Sequence, residues 1–172
     1  MNVIVPSPAP DPGVLCIDLG NTFMVKHGGI PYIQPSAAIV VRFLIHGIFG
    51  PENVHLVSRV DADQEKRTKD WFSENGIYKL TDLRRENVHF CREREGQAPI
   101  CQRLGATHMI DDRPEVMYHL PFVPNRLLFN PDSGDMAKWE SKLGNIKIVA
   151  SWPHVGQLLL PPHLMDELIT KE

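Results

Sequence analysis

Long hydrophobic runs are missing from this chain of 172 residues. Its longest apolar stretch, residues 36–50, is broken by Arg42 and His46, and it falls short of the ~20 residues that a bilayer span needs. A transmembrane helix is therefore not expected. Cysteine is scarce: Cys16, Cys91 and Cys101 are odd in number and form neither a CxxC pair nor a zinc-ligand spacing. They read as reduced, buried thiols of a cytoplasmic protein. Neither sign of charge dominates, with 18 Lys and Arg against 21 Asp and Glu and a net charge of −3. No basic stripe indicates nucleic acid. Internal repeats, low-complexity tracts and linkers are also lacking. The opening MNVIVPSPAPDPG has neither the basic start nor the apolar core of an export signal. Its prolines make residues 1–12 an expected irregular leader, with residues 13–172 as one domain.

The remaining composition, 42% hydrophobic and 23% charged, is that of a globular chain; at this length roughly 70% of the unfolded surface can be buried. Short apolar runs recur at Val14–Asp18, Val54–Ser58, Val88–Cys91, His108–Asp111, Arg126–Asn130 and Ile146–Ala150, each followed by a helical or turn-rich stretch. That alternation is the sequence form of repeated βα units. Several runs are apolar at consecutive positions, as in strands covered on both faces. The expected fold is α/β, a three-layer Rossmann-like sandwich with a mainly parallel sheet of five or six strands.

Local signals place the helices. Ser36 is an expected cap for a buried helix carrying Ile39, Val40, Phe43, Leu44 and Ile48, which ends near Gly47 or Gly50. Asp61 and Gln64 have capping-box spacing, Asn75–Gly76 supplies a left-handed stop, and Glu65–Lys69 and Lys66–Asp70 belong on a solvated face. Shorter helices are expected over Ala98–Leu104, closed by Gly105, from Pro114 to Tyr118, after Pro153, and over His163–Ile169.

In doubly wound sheets ligands collect at the carboxyl ends of the strands. Asp18, Ser58 and Asp111 close three of the runs, and Asp112 follows at once. Buried carboxylates need donors or a cation in place of water. Two of them ~4 Å apart repel by roughly 4 kcal/mol in a partly screened site. A hard divalent cation would relieve that repulsion; solvated strand-end acids fit the residues alone equally well.

Taken together, the ordered set resembles the haloacid dehalogenase (HAD) superfamily, in a small-cap or capless phosphatase form. Val14-Leu15-Cys16-Ile17-Asp18-Leu19-Gly20-Asn21-Thr22 is similar to that family's first signature, Val54-His55-Leu56-Val57-Ser58 to its second, and His108-Met109-Ile110-Asp111-Asp112 to its fourth. The resemblance implies a Mg²⁺-dependent phosphatase or phosphotransferase in which Asp18 attacks phosphorus and forms an aspartyl-phosphate. It implies Mg²⁺ held by Asp18, the backbone carbonyl of Gly20, and Asp111 and Asp112. Ser58 and the backbone N–H groups of Leu19, Gly20, Asn21 and Thr22 would receive the phosphoryl group of a phosphorylated substrate.

Two positions depart from the family pattern. Gly20 stands where hydrolytic members usually carry a second aspartate that protonates the leaving group, a contribution worth ~10²–10⁴-fold. Gln97 stands where a charge-compensating lysine is expected, leaving Arg94, with Arg92 and Arg103 as alternatives, to supply the cation. The alternative reading is a catalytically degenerate HAD-like binding or regulatory protein that keeps the cation and phosphate site. Only Phe23–Asn53 separates the first signature from the second run. That leaves room for a short flap around Lys26-His27-Gly28-Gly29 instead of a cap domain, and an open site to be covered by a protein partner or a second copy. Asp18-Leu19-Gly20-Asn21-Thr22 also resembles the phosphate turn of actin-like kinases, but those need two such domains and no second DxG occurs.

Overall fold

The computed structural model describes residues 11–170. Six parallel strands form one sheet: β1 (Leu15–Ile17), β4 (Val54–Arg59), β5 (Val88–Cys91), β6 (His108–Asp111), β7 (Asn125–Phe129) and β8 (Lys147–Val149). Their order is β5-β4-β1-β6-β7-β8. From β1 the chain steps outward through β4 to β5, returns to the other side of β1 as β6, and steps outward again. The arrangement is the doubly wound Rossmann-like order, with its reversal between β1 and β6. β2 (Met24–His27) and β3 (Ile30–Ile33) pair antiparallel as a separate hairpin. Gly28 and Gly29, both at positive φ, make its two-residue turn.

Alternation along the strands divides the core in two. Leu15, Ile17, Leu56, Leu127 and Phe129 face one apolar layer, while Cys16, Val57, Met109 and Leu128 face the other. The first layer is closed by α1 (Ala37–Leu44), α2 (Ala62–Glu74), α3 (Ile77–Thr81), α7 (Trp152–Leu159) and α8 (Pro162–Ile169). The second is closed by α4 (Gln97–Leu104), α5 (Pro114–Tyr118) and α6 (Ser133–Trp139). This is the expected three-layer sandwich, with the larger number of strands.

Helix starts follow the local chemistry, with one exception. Asp61 accepts from the Gln64 N–H at 2.7 Å while the Gln64 side chain accepts from the Asp61 N–H at 3.4 Å, the reciprocal capping box. Both expected ion pairs of α2 form, Lys66 to Asp70 and Lys69 to Glu65. Ser36 does not cap α1 through its side chain, and it sits at φ 62°, in the left-handed region instead of the extended geometry usual for a cap. The Ala37 N–H instead reaches the Gln34 carbonyl at 3.0 Å. α1 runs into a π-helical turn, Ile45–Phe49, which ends at Gly50 with φ 85°. Within it Gly47 packs closely on α8: a Cβ there would lie 2.4 Å from a Leu164 methyl, which would have to shift. Most of the proline-rich leader, residues 1–10, lies outside the described residues. Asp11 ties down the start of the fold by accepting from the Gly13 N–H at 2.9 Å.

Candidate functional site

β1 and β6 are neighbours in register, Ile17 opposite Ile110, so the residues that follow them emerge side by side at the switch point. Asp18 is anchored there by its own N–H, which donates to the Ile110 carbonyl at 2.8 Å. Asp111 is the last residue of β6, and Asp112 follows it. One carboxylate oxygen from each of the three lies within 4.8 Å of the others. Asp18 and Asp111 are 8% and 1% exposed, so these groups face one another largely without water.

The partners supplied by the protein do not satisfy them. Asp18 Oδ1 accepts from Gln97 Nε2 at 3.1 Å, and the same amide nitrogen donates to the Val57 carbonyl at 3.1 Å. Asp111 Oδ1 accepts from the Arg113 N–H at 2.7 Å. Asp112 Oδ2 accepts from Asn21 Nδ2 at 3.4 Å, and Asn21 is at φ 58°. Asp111 Oδ2 and Asp112 Oδ1 are buried with no partner among the described residues. Buried polar atoms are rarely left so.

The electrostatics express the same shortage. Burial pushes the Asp18 carboxyl up to about 7, the Asp112 charge adds to this, and the Leu19 N–H, Gln97 and Arg113 oppose it. Burial, then the charges of Asp18 and Asp112, raises Asp111 well above the usual carboxylate range. Asp112 is raised by burial, against the pull of Arg113, Asn21 and Arg94. Three ionised acids at this spacing are unfavourable, and the neutral forms are favoured until a cation arrives. Two orphaned oxygens beside a third carboxylate form a donor set suited to a hard divalent cation.

A cavity of about 130 Å³ opens on this cluster, lined by Asp18, Gly20, Asn21, Ser58, Arg94 and Gln97 among others. Ser58, the next-to-last residue of β4, is 5% exposed at its wall. Thr22 does not line the cavity. It is buried beneath the turn, with its carbonyl accepting from Trp152 Nε1 at 2.8 Å and its hydroxyl unpartnered. Leu19 anchors the turn, its carbonyl accepting from the N–H groups of Phe23 at 3.1 Å and Met24 at 2.8 Å. Arg94 reaches the cavity but is committed to Glu115 at 2.7 Å.

Gln97 therefore occupies the place read for the charge-compensating group and touches Asp18 itself. Gly20 is not held by sterics: a Cβ there meets nothing within 4 Å, and its φ lies outside the left-handed region. Three wall residues were not among the candidates, the apolar Val116 and two cations. Arg59 and Arg113 directly follow Ser58 and Asp112, and both line the cavity. The signal available was adjacency, a cation immediately after each strand-end polar residue. Arg92 points elsewhere, to Glu65 at 2.8 Å and the Val60 carbonyl at 3.0 Å.

No protein-family model and no curated protein matches the chain. Among solved structures it is similar to the solution NMR structure of a de novo designed Rossmann 3x3 fold protein, with 11% identity and a TM-score of 0.47 over 84% of this chain and 90% of that one. Among the described residues, no helix is long and apolar enough to cross a membrane.

Proposed function

We propose that this protein is a Mg²⁺-dependent phosphatase or phosphotransferase of HAD type, with Asp18 as the nucleophile. The observation that carries the reading is the pair of unpartnered buried oxygens on Asp111 and Asp112 beside Asp18, at a cavity lined by Asp18, Asp111 and Ser58. Asp18, Asp111, Asp112 and the Gly20 carbonyl would hold the cation, which when bound supplies positive charge for the phosphoryl oxygens.

The chain's own groups have definite tasks. Gln97 orients Asp18 by donating to Oδ1, leaving Oδ2 to attack phosphorus. Ser58 and the N–H groups of Gly20 and Asn21, which line the cavity, donate to the phosphoryl oxygens. A P–O bond forms to Asp18 as the P–O bond to the leaving group breaks. Because Gly20 offers no acid, the departing oxygen takes its proton from solvent. Water, or an acceptor hydroxyl, then attacks phosphorus and returns Asp18 as a carboxylate. Leaving groups that are stable as anions suffer least from the missing acid, so aryl phosphates should react far better than alkyl phosphates. The expected result is Mg²⁺-dependent hydrolysis of an aryl phosphate that Asp18→Asn abolishes. Turnover persisting in Asp18→Asn would overturn the proposal.

A second reading draws on Gln97 and Gly20 together: a degenerate HAD-like protein that binds the cation and phosphate without turnover. Its support is that Gln97 fills the charge-compensating position with a neutral amide bonded to Asp18. It expects Mg²⁺ or phosphate to raise the melting temperature by mass action while phosphate esters stay intact.

A further inference from the structure

A second, larger cleft of about 530 Å³ adjoins the carboxylate cavity and shares Gly20, Ser58 and Arg59 with it. One wall is the β2–β3 hairpin, which contributes Lys26, Gly29 and Pro31. The other is a single face of α2, Gln64, Arg67, Thr68, Trp71 and Glu74, at helical spacing. The shared residues make this cleft a continuous extension of the Asp18 cavity, with room for the other half of a bound phosphate ester. The volume is that of a small-molecule site.

Its charges are arranged unevenly. Among the described residues Lys26, Arg59 and Arg67 form no ion pair, as is also true of cations outside the cleft such as Arg103 and Lys147. The acids of the same cleft are placed differently. Asp70 is held by Lys66 at 2.6 Å. Glu74 is seven residues beyond Arg67 on α2, ~10 Å further from the strand ends. Arg67 of α2 and Arg59 at the end of β4 thus line the cleft together with Lys26 of the facing hairpin. Unpaired cations on opposite walls of one cleft are the arrangement that recognises a second anionic group.

We propose that this cleft binds the leaving-group half of the substrate, and that the substrate is a small phosphate monoester carrying a second negatively charged group, a phosphate or carboxylate, on its alcohol half. The inference rests on the phosphotransfer reading of Asp18, and the experiment separates the two. Purified full-length protein with Mg²⁺ is assayed on two aryl phosphates alike except at the far end of the ring, where one carries a carboxylate and the other a neutral amide. The kcat/KM ratio should favour the anionic ester by on the order of tenfold. Arg67→Gln and Lys26→Gln should each move that ratio toward unity. Lys138→Gln, on α6 outside the cleft, should leave the ratio in place. If neither ester is turned over, the catalytic reading fails, and calorimetric binding of the two esters decides the inference instead: tighter binding of the anionic ester, weakened by Arg67→Gln, supports it. Equal kcat/KM or equal binding for the two esters, or a ratio unmoved by both cleft substitutions, overturns it.

Discussion

Two clusters of titratable side chains are wholly or partly buried on this sheet, and they resolve burial in opposite ways. At the carboxyl ends of β1 and β6, Asp18, Asp111 and Asp112 crowd together with two oxygens unpartnered. In the neighbouring strands β4 and β5, His55 and His89 meet through Nδ1 and Nε2 at 3.1 Å, each ring satisfying the other. Burial lowers His55 to about 4, His89 adds to this, and the Glu52 backbone opposes it. Burial, then the Arg103 charge, lowers His89. Both clusters are driven toward neutral forms, as burial requires. The histidines reach neutrality with internal partners and need nothing more. The carboxylates reach it only by keeping protons, and they keep an unmet demand for positive charge. A buried polar cluster is a ligand site where the protein's own groups fail to close it.

The largest effect that sharpens this contrast is catalytic. Gly20→Asp places an acid beside the leaving group in space the backbone leaves open. It should raise Mg²⁺-dependent hydrolysis of an alkyl phosphate by ~10²-fold or more, and that of an aryl phosphate by less. Comparing initial rates on the two esters checks this, and equal gains on both would remove leaving-group protonation as the missing function. Next comes Asp111→Asn. The amide removes one like charge from the cluster, so without metal at pH 8 the variant should be more stable than the parent by a few kcal/mol. Denaturant unfolding measures this. The Mg²⁺-induced stabilisation of the parent, about 2.7 kcal/mol at a hundred times Kd, should vanish in the variant. A less stable variant would mean that Asp111 is held by partners, as the histidines are.

Sequence and structure agree most closely where a residue breaks its own context. An aspartate closing an apolar strand is chemically conspicuous, so Asp18 and Asp111 could be read together with the strands that carry them. β1 and β6 are adjacent because the chain reverses there, a property of the whole sheet that no local run reveals. The expected strands match because runs such as Val54–Ser58 are covered on both faces. α6 escaped detection because Gly134 and polar residues hide its periodicity; it starts where Asp132 accepts from the Gly134 and Asp135 N–H groups at 2.8 and 3.0 Å. The hairpin was legible only as a flap at Gly28–Gly29, since Met24–His27 and Ile30–Ile33 lie apart from the main sheet and show no single apolar face. The larger cleft depends on that hairpin standing opposite α2, a long-range placement that neither segment encodes by itself. Ser36 misled because its residue type suits a cap, while its backbone geometry is set by the preceding turn.

The two clusters also pull stability in opposite directions with pH. The folded Asp18 carboxyl lies near 7, above the ~3.9 of an unfolded aspartate. Its contribution is present below pH ~4 and is lost as pH rises through about 7, so without metal the fold should weaken across that window. Saturating Mg²⁺ should reverse the loss, because it favours the ionised carboxylates. His55 behaves conversely. Its folded value near 4 lies below the ~6.5 of an unfolded ring, so its contribution is present above ~6.5 and is lost as pH falls toward 4. Between these values the Asp18 and His55 terms oppose each other, and the raised Asp111 and Asp112 tilt the metal-free protein toward lower stability at higher pH. His55→Gln removes the His55 term, leaving only His89 and His108 to oppose the carboxylates. In that variant stability should climb as pH falls from 6.5 to 4.5, by roughly 1–2 kcal/mol relative to the parent's slope. Denaturant unfolding at several pH values in chelator measures the slopes directly, whatever the substitution does to absolute stability. Parallel curves for the parent and His55→Gln would show that the histidine pair carries no protonation cost, and the contrast between the two clusters would then rest on the carboxylates alone.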